Sequence, residues 1–395
     1  MNKKTVRDID ISHKRVLIRV DFNVPVDINT GKITDDSRIR AALPTIRYCL
    51  DKDAKIILMS HRGRPKGKVV DDQKMAPVAG RLSELLDKPV QVTDDCIGPE
   101  VEQAVRQLQP GDVLMLENLR FHKEEEAGDD GFAARLAKLG DVYVNDAFGT
   151  SHRAHASISE IAKYLPAVAG FLLEKEINTL GGLLEKPERP FTAVLGGAKV
   201  SDKVAIITNF LGKVNNLLIG GGMAATFLKA QGIQIGTSIV EEDLIETAKS
   251  LIAQARQNGV NLILPDDVIV TVEIKEGAEA SAVMVDAVPA DKKIADIGAK
   301  TTEKYADILR RSKTVFWNGP MGVVEIDAFA SGTRTLAETM AEIDATTILG
   351  GGSTAETIEN LGLADKVTFV STGGGASMEF LGGDVLPGVA ALMDK

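Results

Sequence analysis

The sequence predicts an α/β chain built from parallel βαβ units in two halves. Short β-branched and aliphatic runs alternate with helical stretches and lack hairpin signals, the pattern of parallel strands joined by crossover helices. At 395 residues the chain exceeds what one hydrophobic core ordinarily serves, so two domains are expected. The strands of the two halves also end in different chemistry, cationic in the first and glycine-rich in the second. In an open parallel sheet ligands bind beyond the carboxyl ends of the strands, so this contrast bears on function.

In the first half, strands are expected at Arg15 to Val20, Lys55 to Met59, Val113 to Leu116 and Val142 to Val144. Asp21 and Asn23 follow the first, with Arg38 in a connector beyond. The second leads into His61, Arg62, Gly63, Arg64 and Pro65, and the third into Asn118, Arg120 and His122. After the fourth come Asn145, Asp146 and the run Ser151-His152-Arg153-Ala154-His155. Arginine grips carboxylate or phosphate through a planar fork whose charge does not titrate away. Four such strand ends in succession describe a pocket for a small, multiply anionic molecule. The run from Glu124 to Asp130 reads as an acidic surface loop.

From Leu172 the apolar spacing turns helical, with Leu173, Ile177, Leu180 and Leu184, until Pro187 and Pro190 end it. A helix there suits an interdomain connector, and Gly181-Gly182 suits a hinge.

In the second half the strands Phe191 to Leu195, Asn216 to Ile219, Thr314 to Trp317, Ala345 to Leu349 and Val367 to Val370 each run into a glycine cluster. Backbone amides are expected to line this side, as they do around nucleotide phosphates. The central stretch runs from Ala193 to Lys203: a buried strand, the Gly196-Gly197 turn, and a helix start that would place Lys199 and Lys203 on one face.

Composition narrows the partners. The chain is 44% hydrophobic and 26% charged, as in soluble globular proteins. Its net charge of −10 argues against nucleic acid and membrane surfaces as partners. The opening MNKKTVRDIDISHK lacks a signal-peptide core and no apolar run reaches about 18 residues, so the cytoplasm is expected. Cys49 and Cys96 have no metal-type spacing and read as inert thiols.

Several chemistries lack their signatures. No Walker-type phosphate loop, protein-kinase catalytic loop or nucleophile elbow is present. Gly220, Gly222, Ala225 and Gly350, Gly352, Ala355 fit a dinucleotide fingerprint loosely, with Glu241 or Glu242 as its acid. Phosphoryl transfer to an acceptor that is already anionic, such as a carboxylate, needs no proton removed. It needs two substrates aligned and the moving charge neutralised, which a cationic half and a glycine-amide half would provide.

The runs VLIRVDFNVPVD, SHRGRPKG, LENLRFHKEE, VNDAFGTSHRAHAS, LGGAKVSDK, IGGGMAATFLKAQG, VFWNGPMGVVE and STGGGASMEFL follow one another along the whole chain. In them the sequence closely resembles the phosphoglycerate kinase family of bacterial type. The resemblance implies two Rossmann-like parallel-sheet domains joined by a hinge helix. An N-terminal domain over residues 1–170 would bind 3-phosphoglycerate, with residues about 381–395 packing back on it. A connector over 171–187 would lead to a nucleotide-binding domain over 188–380.

The resemblance also implies roles. Asp21 and Asn23 would hydrogen-bond the hydroxyl and backbone of 3-phosphoglycerate, and His61, Arg64, Arg120 and Arg153 would hold its phosphate. Arg38 would face the transferring phosphoryl group. Lys203 would contact the phosphates of ATP or ADP, and Lys199 would balance charge in the transition state. Glu325 would accept the ribose hydroxyls, while Gly351, Gly352, Ser353, Thr354 and the amides of Gly373, Gly374 and Gly375 would steady the phosphates. Mg2+ would ride on the nucleotide, and a monomer is implied. Three positions depart from the family pattern: Ser353 stands where an aspartate is usual, Arg62 where an uncharged residue is common, and Ala225 where a larger one often is. Arg62 is expected to be exposed, Glu356 to point to solvent, and His122, His152 and His155 to orient the arginines. The rival expectation is a binding protein of the same fold whose turnover is weakened by Ser353.

Overall fold

The protein, represented by a computed structural model, is described over residues 2–27 and 30–395, apart from the side chain of Ser353. Two units are distinguished: Met1–Asn178 with Val385–Lys395, and Thr179–Asp384.

The first unit carries a parallel sheet of β1 (Arg15–Val20), β2 (Lys55–Met59), β3 (Val90–Val92), β4 (Val113–Met115), β5 (Val142–Asp146) and β6 (Ala167–Ala169), in the order β3-β4-β2-β1-β5-β6. After its first residue β1 is wholly buried, as expected of a strand covered by helices on both faces. Its register pairs Val20 with Asp146 on β5 and Arg19 with Met59 on β2, so three carboxyl ends finish level. Residues 385–395 belong to this unit. The Met393 amide donates to the Ala167 carbonyl at 3.0 Å and the Asn145 side-chain amide donates to the Gly388 carbonyl at 2.9 Å.

The second unit carries β7 (Phe191–Leu195), β8 (Asn216–Ile219), β9 (Asn261–Ile263), β10 (Asp267–Thr271), β11 (Ser281–Met284), β12 (Lys293–Ile297), β13 (Thr314–Asn318), β14 (Thr346–Gly350) and β15 (Phe369–Val370). Six form a parallel sheet in the order β15-β14-β13-β7-β8-β9, with Trp317 of β13 fully buried in the core beside it. The other three form a small antiparallel sheet, β11-β10-β12, which the parallel reading did not anticipate. The connection from β10 to β11, residues 272–280, is too long to give a tight hairpin signal.

The helix Phe171–Glu185 contains the division between the units. Gly181 and Gly182 lie inside it and the helix runs through them. No helix among the described residues is long and apolar enough to cross a membrane.

Candidate active site

In the first unit the expected residues converge at the carboxyl edge of the sheet. Arg38 lies in the first turn of the helix Ser37–Asp51 and donates to Asp21 Oδ2 at 2.9 Å. Asn23 Oδ1 accepts from the Gly63 amide at 2.9 Å, and the Arg120 guanidinium donates to the Gly63 carbonyl, also at 2.9 Å. One turn after β2 is thus held from two other strand ends. Gly63 has φ +63, where a side chain would be strained.

His61 is buried, and burial drives its pKa well below the usual value, helped by Arg19, Arg120, His155 and Arg38. His155 is likewise lowered, to about 4, by burial and by Arg120, Arg19 and Arg153. The mutual influence of these groups places Arg19, Arg38, His61, Arg120, Arg153 and His155 in one electrostatic neighbourhood. Arg153, part of this neighbourhood, is exposed, and so is Arg64, next after Gly63 in the chain.

Several expectations change here. Arg62 is buried, its guanidinium donating to the Lys74 carbonyl at 2.9 Å. Among the described residues His122 bonds no arginine; its Nε2 sits 2.6 Å from Asp95 Oδ1. The acidic run is not a surface loop: Lys123–Glu126 is a short helix, and Asp129 caps the next one by accepting from the Phe132 amide at 2.7 Å. Glu125 is fully buried and accepts from Ser157 Oγ at 2.6 Å. Sequence reasoning also missed Arg19, a fully buried arginine inside β1 whose Nε donates to Ser157 Oγ at 2.9 Å. A charge within an apolar strand is its only sequence signal.

Asp95, Cys96 and His122 bring three potential metal-ligating atoms within 4.8 Å. Asp95 Oδ1 already accepts from the Cys96 amide at 2.6 Å, and burial raises the Cys96 thiol well above its usual pKa. The cluster is therefore satisfied as it stands. Cys49 is also buried, its thiol pushed up to about 12 by burial and by Asp146.

In the second unit, Lys203 is part-buried and hydrogen-bonds Asn318 Oδ1. The side-chain amide of Asn318 donates to the Gly350 carbonyl at 2.6 Å, and Thr354 Oγ1 accepts from the Gly319 amide at 2.8 Å. Asn318, passed over as a site residue, thereby ties Lys203 to Gly350, which leads into the helix start at Gly351 to Thr354. Burial lowers the Lys203 ammonium to about 8, against a raising influence from Asp202.

Lys199 and Lys203 do not share a helix face. The helix runs Val204–Phe210, with Lys203 as its cap and Lys199 exposed in the preceding bend. The turn is held non-helical by Glu241, whose carboxylate accepts from the amides of Val200 at 2.6 Å and Ser201 at 3.1 Å. Glu242 pairs with Lys229, so neither carboxylate is spare for the dinucleotide reading.

The glycine clusters also divide into two kinds. The amides of Gly196, Gly197 and Gly221 donate to the carbonyls of Asn318, Pro320 and Met321 at 3.0, 2.9 and 3.0 Å. They are spent on joining three turns rather than lining a ligand site. A Cβ on Gly196 would lie 2.2 Å from the Pro320 oxygen, so glycine is required here for close backbone approach. Gly352 and Gly375, by contrast, begin the helices Gly352–Asn360 and Gly375–Gly382, where first-turn amides lack intrahelical partners. Gly374, with φ +52, caps the second of these. Ser353 lies in the first of them, and its side chain is outside the described residues.

Glu325 is exposed and lines a cavity of about 350 Å³ with Val324, Arg334, Glu356 and Thr357. The helix that begins beside Gly351 therefore also borders the Glu325 cavity, and Glu356 is exposed at its rim.

Comparison with known proteins agrees with this chemistry. The family model for phosphoglycerate kinase matches residues 6–384. A phosphoglycerate kinase from Moorella thermoacetica is 56% identical over 395 residues, covering 100% of both chains. One from Pelotomaculum thermopropionicum is 55% identical over 395 residues, again with 100% of each covered. Among solved structures, phosphoglycerate kinase from Coxiella burnetii aligns with TM-score 0.89 and 41% identity, covering 98% of each chain. The enzyme from Pyrococcus horikoshii aligns with TM-score 0.84 and 33% identity, also covering 98% of each. The chain belongs to the phosphoglycerate kinase family.

Proposed function

We propose that the chain catalyses reversible phosphoryl transfer between 1,3-bisphosphoglycerate and ADP, giving 3-phosphoglycerate and ATP. The observation that carries this reading is the cationic neighbourhood of Arg38, Arg120 and Arg153 around the neutral His61 at one sheet edge of the first unit. It meets the need of a small acceptor bearing both a carboxylate and a phosphate. In this reading Asp21 and Asn23 orient the glycerate hydroxyl and backbone, while His61, Arg64, Arg120 and Arg153 hold its phosphate. Arg38, half-exposed and steadied by Asp21, meets the phosphoryl group as charge develops on it. The acceptor is a carboxylate, so no general base is required. The work is alignment and charge neutralisation.

On the second unit Lys203 contacts the nucleotide phosphates and Lys199 balances charge in the transition state. Glu325 accepts the ribose hydroxyls, and the helix starts at Gly351 to Thr354 and Gly373 to Gly375 steady the phosphates. Among the described residues of this unit, no cluster of acids, histidines or cysteines offers a ready-made metal cage. In this reading magnesium is brought in on the nucleotide, whose phosphates supply oxygen ligands. When bound, the ion neutralises phosphate charge. The reading carries with it a monomeric cytoplasmic enzyme with small-molecule substrates. The rival of a weakened binding protein has no support in the full-length likeness to kinases.

Arg64 is exposed, which makes Arg64→Ala a clean test. Calorimetry should show weaker 3-phosphoglycerate binding by about tenfold or more, the loss of a charge-assisted hydrogen bond, with Lys199→Ala unchanged. Unaltered binding in Arg64→Ala would refute the pocket assignment.

A further inference from the structure

Behind His61 lies a chain of hydrogen bonds whose directions chemistry fixes. Arginine has only donors, so every bond from Arg19 runs outward. Its Nε donates to Ser157 Oγ at 2.9 Å and its Nη1 to the Val20 carbonyl. Its Nη2 lies 3.1 Å from His61 Nδ1. That nitrogen must accept, so it bears no proton, and a neutral ring carries its proton on Nε2. Ser157 Oγ, having accepted from Arg19, turns its own proton toward Glu125 Oε1 at 2.6 Å. Glu125 Oε2 accepts from the Ser157 amide at 3.0 Å. Arg19, Ser157 and Glu125 are all fully buried, so no water competes for these bonds.

We propose that Glu125, Ser157 and Arg19 are positioning residues that hold His61 as its Nε2–H tautomer, so that the ring offers an N–H donor to the anion pocket. The inference rests on the reading of that pocket as the phosphoglycerate site. A neutral donor serves an anion without adding a cation to a place that already holds Arg19, Arg38 and Arg120 around the ring. Burial and those charges keep the ring neutral. Without the relay the imidazole is free to place its proton on Nδ1 and turn a lone pair toward the anion, which repels it. The Glu125 carbonyl also accepts from the Ala156 amide at 3.0 Å, which ties it to the segment that carries Arg153.

The test is ring-nitrogen NMR on the full chain labelled at its five histidines, with the His61 signals assigned by their loss in His61→Gln. Wild-type His61 should show Nε2–H with an unprotonated Nδ1, unchanged from about pH 5 to 8. Ser157→Ala keeps Arg19 but breaks its tether. It should bring in the second tautomer and raise KM for 3-phosphoglycerate about fivefold or more, with KM for ATP within about twofold. An Nδ1–H tautomer in the wild type, or titration near the ordinary histidine value, overturns the proposal without any variant having to fold. So does a Ser157→Ala spectrum identical to wild type at His61. A shifted tautomer with no change in KM for 3-phosphoglycerate supports the relay and overturns the pocket assignment instead.

Discussion

Lys203 holds a positive charge where the folded protein pays to keep it, and replacing it should stabilise the second unit while removing its proposed catalytic contribution. The ammonium is part-buried and caps the helix Val204–Phe210, where the macrodipole disfavours a cation. Among the described residues no carboxylate lies within ion-pair distance, and the side chain bonds only the neutral Asn318. The fall from about 10.4 in water to about 8 in the protein corresponds to about 3 kcal/mol, at about 1.4 kcal/mol per pH unit. Partial exposure and the loss of about 1 kcal/mol for the Asn318 hydrogen bond reduce the gain. Lys203→Met should therefore be about 1–2 kcal/mol more stable at pH 7. The sign reverses no further: between about pH 8 and 10.4 the unfolded chain binds the proton that the folded protein has lost, so wild-type stability rises. The advantage of the variant should shrink across that window. Urea unfolding followed by tryptophan fluorescence measures this in the right place, because Trp317 is the only tryptophan and is fully buried next to Asn318. A variant less stable than wild type at pH 7, or a difference that ignores pH, would refute the reasoning.

Other outcomes follow from the same geometry. Arg38→Ala should lower turnover by about 100-fold or more with nucleotide affinity nearly unchanged, since its charge is needed only as the phosphoryl group moves; comparable kcat would remove it from that role. Ser353→Asp should lower the magnesium concentration for half-maximal rate, because a carboxylate binds the ion better than a hydroxyl; an unmoved magnesium titration would leave the ion to the nucleotide. Burial pushes Asp296 up to about 7, so the folded unit keeps a proton that the unfolded chain releases above about 3.9. Its contribution to stability is present below that value and is lost as pH rises to about 7. Removing the charge by lowering pH through that window should raise the Trp317 urea midpoint, and a fall would count against it. Gly319→Ala places a Cβ 2.4 Å from the Gly196 oxygen at φ +89. A loss of at least about 2 kcal/mol is expected in the same assay.

Where polarity returns at the end of a buried strand, the sequence was readable. Val20, Met59 and Met115 close runs buried on both faces, so Asp21, His61 and Arg120 had to emerge at one edge. The reading failed where a polar residue turns inward. Glu125 stands among three successive glutamates, and only its pairing with Ser157, distant in sequence, sets it apart from its neighbours. Arg19 and Arg62 are buried for the same reason: partners that no local pattern announces. The lysine pair was misplaced because Glu241, also distant in sequence, holds the turn that delays the helix to Val204. Glycine marked the right loops but two different causes, close backbone approach at Gly196 and a helix start at Gly352. Composition alone does not separate them.

Steady-state turnover of the purified chain with ATP and 3-phosphoglycerate, coupled to reduction of the acyl phosphate and followed across a magnesium titration, bears most directly on the proposed reaction. Brisk turnover requiring both substrates and magnesium is predicted. Absence of turnover while calorimetry shows both ligands bound would contradict it.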